Sequence, residues 1–319
     1  MGDRQLGFAE AFLDPRMLAA GKLAGLAEVI DWGPIDALGE GLRHADLGRP
    51  PYSGAAMLRA LYLQALYDLS DPGLEEALLV RIDFRLFCGF SLTERTPDET
   101  TICRFRNAAA GAGLIERAFG EVNRQFEAKG LVIKKGTLID ATIVEAASRR
   151  PEPAQGGKPR LAREPEASFT RKSGKACFGW QLHIGVDQGS GLVRRAVVRP
   201  AHVNESTVAD ALVCGDEEEV YGDRAYESKE RRSALKRRGV KDRIMHRSHK
   251  NQAALPHWQA VRNRLIAPRR APVEGVFGTL KRTYRRARSR FFGLEATTAD
   301  LLRVLTVYNL RRALALSPA

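Results

Sequence analysis

The stretch "LVIKKGTLIDATIVEA", from Leu131 to Ala146, is where the pattern of the chain changes. Upstream, apolar residues recur at helical spacing; here β-branched residues dominate, and the segment reads as one long strand. Alternation along a strand puts Leu138, Asp140 and Thr142 on one face and Ile139, Ala141 and Ile143 on the other. An aspartate mid-strand is out of character. Asp is depleted in strands, and burying an unpaired carboxylate costs on the order of several kcal/mol. Asp140 therefore lies on a solvent face, pairs with an Arg, or has a use.

Working upstream, "SGAAMLRALYLQALYDLSD" carries Met57, Leu58, Leu61, Leu66 and Leu69 at helical spacing behind a capping Ser53. "PGLEEALLVRIDFRLFCGF" reads as one further helix ended near Gly89, and "TPDETTICRFRNAAAG" starts a third at Thr96, Pro97 and Asp98. "GLIERAFGEVNRQFEAKG" is amphipathic, with Leu114, Ile115, Phe119, Val122 and Phe126 inward. Residues 1–130 are thus expected to form an all-helical domain. A helix-turn-helix and a plain packing domain both fit it.

Working downstream, "RRPEPAQGGKPRLAREPE" reads as an exposed loop. "FGWQLHIGVD", "QGSG" and "LVRRAVVRP" form a hairpin, "NESTVADALVC" a helix, and "EEEVYGD" a strand ending at Asp223. "YESKERRSALKRRG" is a basic helix and "VKDRIMHR" a strand. A basic loop, a helix from Pro272 holding Glu274, and a closing helix "TTADLLRVLTVYNLRRALAL" follow. The expected fold is α/β, a mixed sheet flanked by helices over 131–319, in the order β-β-β-α-β-α-β-α-α.

Charge narrows the class of function. Lys and Arg number 51 against 38 Asp and Glu, a net of +13. Residues 1–40 hold seven acids and three bases, residues 229–250 ten bases and two acids, and residues 268–290 eight bases around Glu274 alone. Two dense basic runs in one half favour nucleic acid over a merely solvated face, because Lys/Arg contacts to phosphate release counterions. The 319 residues suit about two domains. No apolar run spans a membrane, "MGDRQLGFAEAF" has no signal pattern, and Leu6 breaks a myristoylation motif at Gly2. Cys88, Cys103, Cys177 and Cys214 are too scattered for a metal or disulfide pattern and read as reduced cytoplasmic thiols. His246 and His249 lack the partners of a zinc set.

Taken singly, the acids have structural readings. Asp223 suits a strand-end turn, and Glu274 suits the positive end of a helix dipole. Together, a central-strand Asp, an Asp ending a later strand and a Glu early in a following helix can converge on two divalent cations, about 3.5–4 Å apart in phosphodiester chemistry. Magnesium favours such oxygen ligands and relieves their mutual repulsion. The bases around Glu274 would then hold DNA phosphates. Glu145 lies on the opposite strand face, and Asp187 reads as a turn residue. Trp180 and Trp258 read as packing.

These motifs fall in the order seen in bacterial insertion-sequence transposases of the DDE superfamily. "LRALYLQALYDLSDPGLEEALLVRIDFRLFCGF" with "TPDETTICRFR" resembles their helical N-terminal domain. "GTLIDATIVEA", "FGWQLHIGVD" and "GDRAYES" resemble the first-Asp, next-strand and second-Asp motifs, and "NRLIAPRRAPVEGVFGTLKR" with "VYNLRRAL" the Glu motif and closing helix. The resemblance covers nearly the whole chain. It implies an uninterrupted RNase-H-like catalytic core, with Asp140, Asp223 and Glu274 as catalytic metal ligands and Mg²⁺ (or Mn²⁺) as cofactor. Arg270, Glu274 and Lys281 fit the family's C-terminal signature, whose Tyr position holds Ala267. Pro272 is a second departure. If the helix starts there, Arg270 precedes it and does not share the stripe of Lys281. The resemblance also offers Lys281, Arg270, Arg282 and Arg285 as DNA contacts, and Tyr226, three after Asp223, as either a DNA contact or a packing residue. The 50 residues between Asp223 and Glu274 are too few for the large domain some relatives insert there.

The implied activity cuts element ends at terminal inverted repeats and joins the 3′-hydroxyls to target DNA. A homodimer or higher assembly would carry it out, in a cytoplasmic, nucleoid-associated protein. Two alternatives stay open: a non-catalytic DNA-binding derivative, and a metal-dependent nuclease without strand transfer.

Overall fold

The computed structural model describes residues 22–40, 42, 52–148, 163–172, 174–248 and 254–317. Gly2, Leu6, most of the expected loop after Ser148, and His249 lie outside them. The chain divides into two compact units, residues 1–129 with 302–319, and residues 130–301. The last 18 residues of the expected catalytic domain therefore group with the helical unit.

The helical unit contains α1 (Lys22–Glu28), α2 (Gly33–Glu40), α3 (Gly54–Tyr67), α4 (Asp71–Val80), α5 (Ile82–Cys88), α6 (Glu99–Gly111), α7 (Leu114–Ala128) and the later part of α12 (Leu294–Leu316). Small polar residues set three starts: the Ser53, Ser70 and Asp98 side chains accept from the amides of Ala56, Gly73 and Thr101. Backbones of α2 and α3 touch where both helices have glycine. A Cβ on Gly54 would stand 2.0 Å from the Gly39 carbonyl oxygen, so no side chain fits there. The segment expected as one helix over 72–90 is two, because Arg81 takes an extended backbone (φ −101°, ψ 111°). Its guanidinium reaches forward to Asp83 and lies 3.9 Å over the Phe84 ring, contacts that replace the helical continuation. No described helix is long and apolar enough to cross a membrane.

The second unit is built on a six-stranded sheet in the order β2-β3-β1-β5-β6, with β4 on β3. The strands are β1 (Thr137–Glu145), β2 (Ser168–Lys172), β3 (Lys175–Asp187), β4 (Val193–Pro200), β5 (Glu219–Gly222) and β6 (Lys241–Ile244). Pairing is antiparallel among β1–β4 and parallel for β1–β5 and β5–β6, as in an RNase-H-like core. The strand expected over 131–146 begins only at Thr137. Lys134 takes φ 60°, and the Asp187 carboxylate accepts the amides of Ile133 and Lys134, turning the chain into β1. Strand β2 was not foreseen.

Helices α8 (Glu205–Leu212), α9 (Lys229–Arg237), α10 (His257–Arg270) and α11 (Pro272–Arg282) complete the unit with the start of α12. A core of Ile139, Ala209, Leu212, Val220, Tyr226, Leu235, Val240 and Ile244 packs one face of the sheet. Gly185 admits α8, since a Cβ there would lie 2.5 Å from the Leu212 carbonyl oxygen. The basic loop expected before Glu274 is largely α10. Two side chains dock it on the end of β6. Arg262 donates to the carbonyls of Ile244 and Asp242, at 2.6 Å each. Asn263 exchanges two bonds with the backbone of His246, like a neighbouring strand.

Candidate active site

Strand register sets the first two acids side by side. Thr137 pairs with Val220 and Leu138 with Tyr221 in the parallel β1–β5 ladder. Carried two residues on, the same offset of 83 puts Asp140 beside Asp223, just past the C-terminal end of β5. Such strand ends are where open α/β sheets place their sites. Each carboxylate spends one oxygen locally. Asp140 Oδ1 accepts from the Ala141 amide at 2.9 Å, and Asp223 Oδ1 from the Ala225 amide at 2.8 Å, capping a short 3₁₀ turn, Arg224–Tyr226. The turn reading of Asp223 and its place beside Asp140 are thus compatible.

Arg270 links the third acid to the first. Its Nη1 donates to Asp140 Oδ2 at 2.6 Å, and its Nη2 to Glu274 Oε1 at 3.4 Å. The helix of Glu274 does start at Pro272 and Arg270 does precede it, but the expectation that Arg270 leaves the stripe is corrected. Ala271, between α10 and α11, is itself helical (φ −49°, ψ −33°), so the turns continue past Pro268 and Pro272. Arg270 and Glu274 are one turn apart, and Lys281 lies two turns beyond Glu274 on the same face. Proline at the first position of α11 costs nothing there.

The electrostatics follow from burial. Loss of solvent pushes the Asp140 carboxyl above the ordinary aspartate value, Arg270 and the Ala141 amide pull it down, and the like charge of Asp223 raises it again. Desolvation wins: Asp140 is raised, although Arg270 touches it. Glu274 is the open member, its side chain 68% exposed against 14% for Asp140.

The DNA-contact candidates divide. Arg282 and Arg285 are exposed, and Lys281 is half-buried. Tyr226 is corrected: it is fully buried in the sheet core, because the 3₁₀ turn after Asp223 folds it inward, and it has no face to offer a base. Burial drives its phenol pKa far up, and its hydroxyl meets no partner among the described residues. Tyr226→Phe should therefore leave DNA affinity unchanged and the unfolding free energy equal or higher, by up to about 1–2 kcal/mol in urea denaturation. A loss of affinity without a loss of stability would reinstate the contact. Trp258 is exposed on α10, edge-on to His246, whereas Trp180 is core. Glu145 pairs with Arg288 at 2.6 Å, away from Asp140, and Asp187 is the buried last residue of β3, its carboxylate accepting from Ser190 in the hairpin turn and from the amides of Ile133 and Lys134.

The donor set fits a hard divalent cation: three carboxylates, with one cationic group already seated between two of them. A second cluster, Cys214, Asp216 and Glu217, has its ligand atoms within 4.8 Å of one another, at the opposite end of β5 from Asp223. Its charges are taken. Asp216 pairs with Arg194 and Lys134, which hold its carboxyl far down, and Glu217 accepts the amides of Cys214 and Gly215. Burial keeps the Cys214 thiol protonated. The cluster's carboxylates are thus engaged by neighbours within the unit.

A mixed sheet of this topology is the RNase-H-like fold class. The family comparison narrows it. Residues 133–310 match the Transposase DDE domain, and residues 13–108 match a Transposase domain (DUF772). The chain belongs to the DDE transposase family. Among solved structures, it is similar to a piggyBac transposase synaptic complex with hairpin DNA, at 9% identity and a TM-score of 0.46, over 94% of this chain and 73% of that one.

Proposed function

We propose that this chain cuts insertion-sequence ends and joins the freed 3′-hydroxyls to target DNA. The observation that carries the reading is the register that sets Asp140 beside Asp223, with Glu274 brought to Asp140 through Arg270. Mg²⁺ or Mn²⁺ held by Asp140, Asp223 and Glu274 would activate the attacking oxygen and neutralise charge on the leaving one. Asp140 lies within β1 and Asp223 just past the end of β5, while Glu274 enters from the first turn of α11. Lys281, Arg282 and Arg285 bind the phosphates that flank the scissile one, and Arg270 supplies a bidentate phosphate contact. Terminal inverted repeats are held by the helical unit together with the basic segments. Two ends are paired by a homodimer or a larger assembly.

The test is an assay on a labelled duplex carrying the DNA that flanks this gene, with Mg²⁺, Mn²⁺ or EDTA. Metal-dependent cleavage at the element end, followed by joined products, is the expected result. Cleavage without joining would reduce the protein to a nuclease, and binding without cleavage in any metal to a DNA-binding derivative.

A further inference from the structure

We propose that Arg270 is a gate on the metal site, a counter-ion seated between Asp140 and Glu274 that leaves when DNA phosphate offers it a new partner. The inference rests on the reading of these acids as metal ligands, and it adds how their loading is controlled. Its basis is the placement of one guanidinium. Arg270 Nη1 holds the only oxygen of Asp140 not bonded to the Ala141 amide, and Nη2 reaches Glu274. The same group spans the two elements whose acids must converge, β1 and α11. It also stands where a cation would bind. The three acids are not drawn into mutual ligand distance as Cys214, Asp216 and Glu217 are, and Arg270 stands between two of them.

The exchange is chemically matched. Guanidinium forks bind carboxylate and phosphate with the same two-point geometry. A duplex drawn in by Arg269, Lys281, Arg282 and Arg285 would bring a phosphate within reach of the C-terminal turn of α10. Arg270 has a short path to it, since it sits on that turn with its side chain partly exposed, at 16%. Once Arg270 moves, two carboxylates lose their counter-charge together, and a divalent cation replaces it. By linkage, DNA raises metal affinity and metal raises DNA affinity by the same factor. In the free protein Asp140 and Glu274 keep this counter-ion, so cleavage away from a bound end is suppressed.

Mn²⁺ binding to the full-length protein tests this without any turnover, read from loss of the free-ion EPR signal. Wild type, Arg270→Gln, Arg270→Lys and Asp140→Asn are compared, each with and without a short duplex carrying the flanking DNA, after subtracting Mn²⁺ bound by duplex alone. Without DNA, Arg270→Gln should bind Mn²⁺ about tenfold tighter than wild type, within the usual range of such couplings. Wild type should recover that factor when duplex is added, and Arg270→Gln should gain little. Arg270→Lys keeps the charge but not the fork, and should fall between them. Equal affinity of wild type and Arg270→Gln, with binding lost in Asp140→Asn, would overturn the gate and leave the metal reading intact. Weaker binding by both Arg270 variants would also overturn it, making Arg270 an organiser of the acids. No Mn²⁺ bound by any protein, with or without duplex, would remove the metal reading and the gate together.

Discussion

Asp140→Asn abolishes cleavage and leaves the fold as stable as before, or more so. The first half follows from chemistry. Losing one preorganised charge-stabilising group typically costs about 10²–10³ in rate, and that is the floor expected for an acid at the centre of the cluster. The second half follows from the balance of forces on the carboxyl. Burial, the largest influence, and the like charge of Asp223 together raise its pKa more than Arg270 and the Ala141 amide lower it. A carboxyl whose folded-state pKa is raised favours folding only below its unfolded value, and that benefit is lost as pH rises through the folded value. At neutral pH the ionised group is therefore a net cost, which asparagine removes at nearly the same shape. Arg270 is not stranded, because Glu274 remains within its reach. Cleavage rate and urea midpoint, measured on the same preparation at pH 7 and again near pH 5, decide the matter. Loss of activity with an unchanged or raised midpoint marks an acid kept for chemistry at the expense of stability. An unfolding free energy lowered by about 3–5 kcal/mol would make Asp140 a structural partner of Arg270 instead.

Much of this site was legible because it lies on regular elements. A lone Asp inside a β-branched run and an Asp closing a later strand are visible in the letters, and a parallel register then aligns them. Glu274 was legible as an early-helix acid among bases. The alignment of Arg270 with Glu274 is not legible, because a helix that starts at Pro272 leaves the direction of the preceding chain open, and Pro268 adds a second break. What overrides them is tertiary: Arg262 and Asn263 bind α10 to β6, and Ala271 stays helical, so the chain crosses both prolines without changing direction enough to part Arg270 from Glu274. Tyr226 fits both a DNA contact and packing in the sequence, and only the structure decides. Its place after Asp223 suggested the site, but a 3₁₀ turn decides which way it points, and no periodicity reports that. The split between α4 and α5 turns on contacts of one side chain, Arg81, that the apolar pattern does not encode.

The basic run around Glu274 hides a residue with a different task. Arg286 sits among exposed bases in the sequence, yet its side chain is 1% exposed and that of its partner Asp300 2%. Its Nε donates to Asp300 Oδ2 at 2.7 Å, its Nη2 to Oδ1 at 3.3 Å, and its Nη1 to the Tyr284 carbonyl at 2.5 Å. The segment it anchors continues the end of β1: Glu145 donates to the Ala287 carbonyl, and Ser289 donates to that of Glu145. One ion pair thus ties the exit of the Glu274 helix both to α12 and to the strand that carries Asp140. Removing one member of a buried pair leaves an uncompensated charge, at a cost of about 3–5 kcal/mol, whereas replacing both by apolar groups is often neutral or stabilising. Arg286→Met and Asp300→Leu should each lower the unfolding free energy by that amount. The double variant should recover most of it, giving a coupling of several kcal/mol in a urea-denaturation cycle. Additive single losses would mean that the two charges are solvated separately. A drop in DNA affinity from Arg286→Met with no loss of stability would return Arg286 to the DNA-binding face.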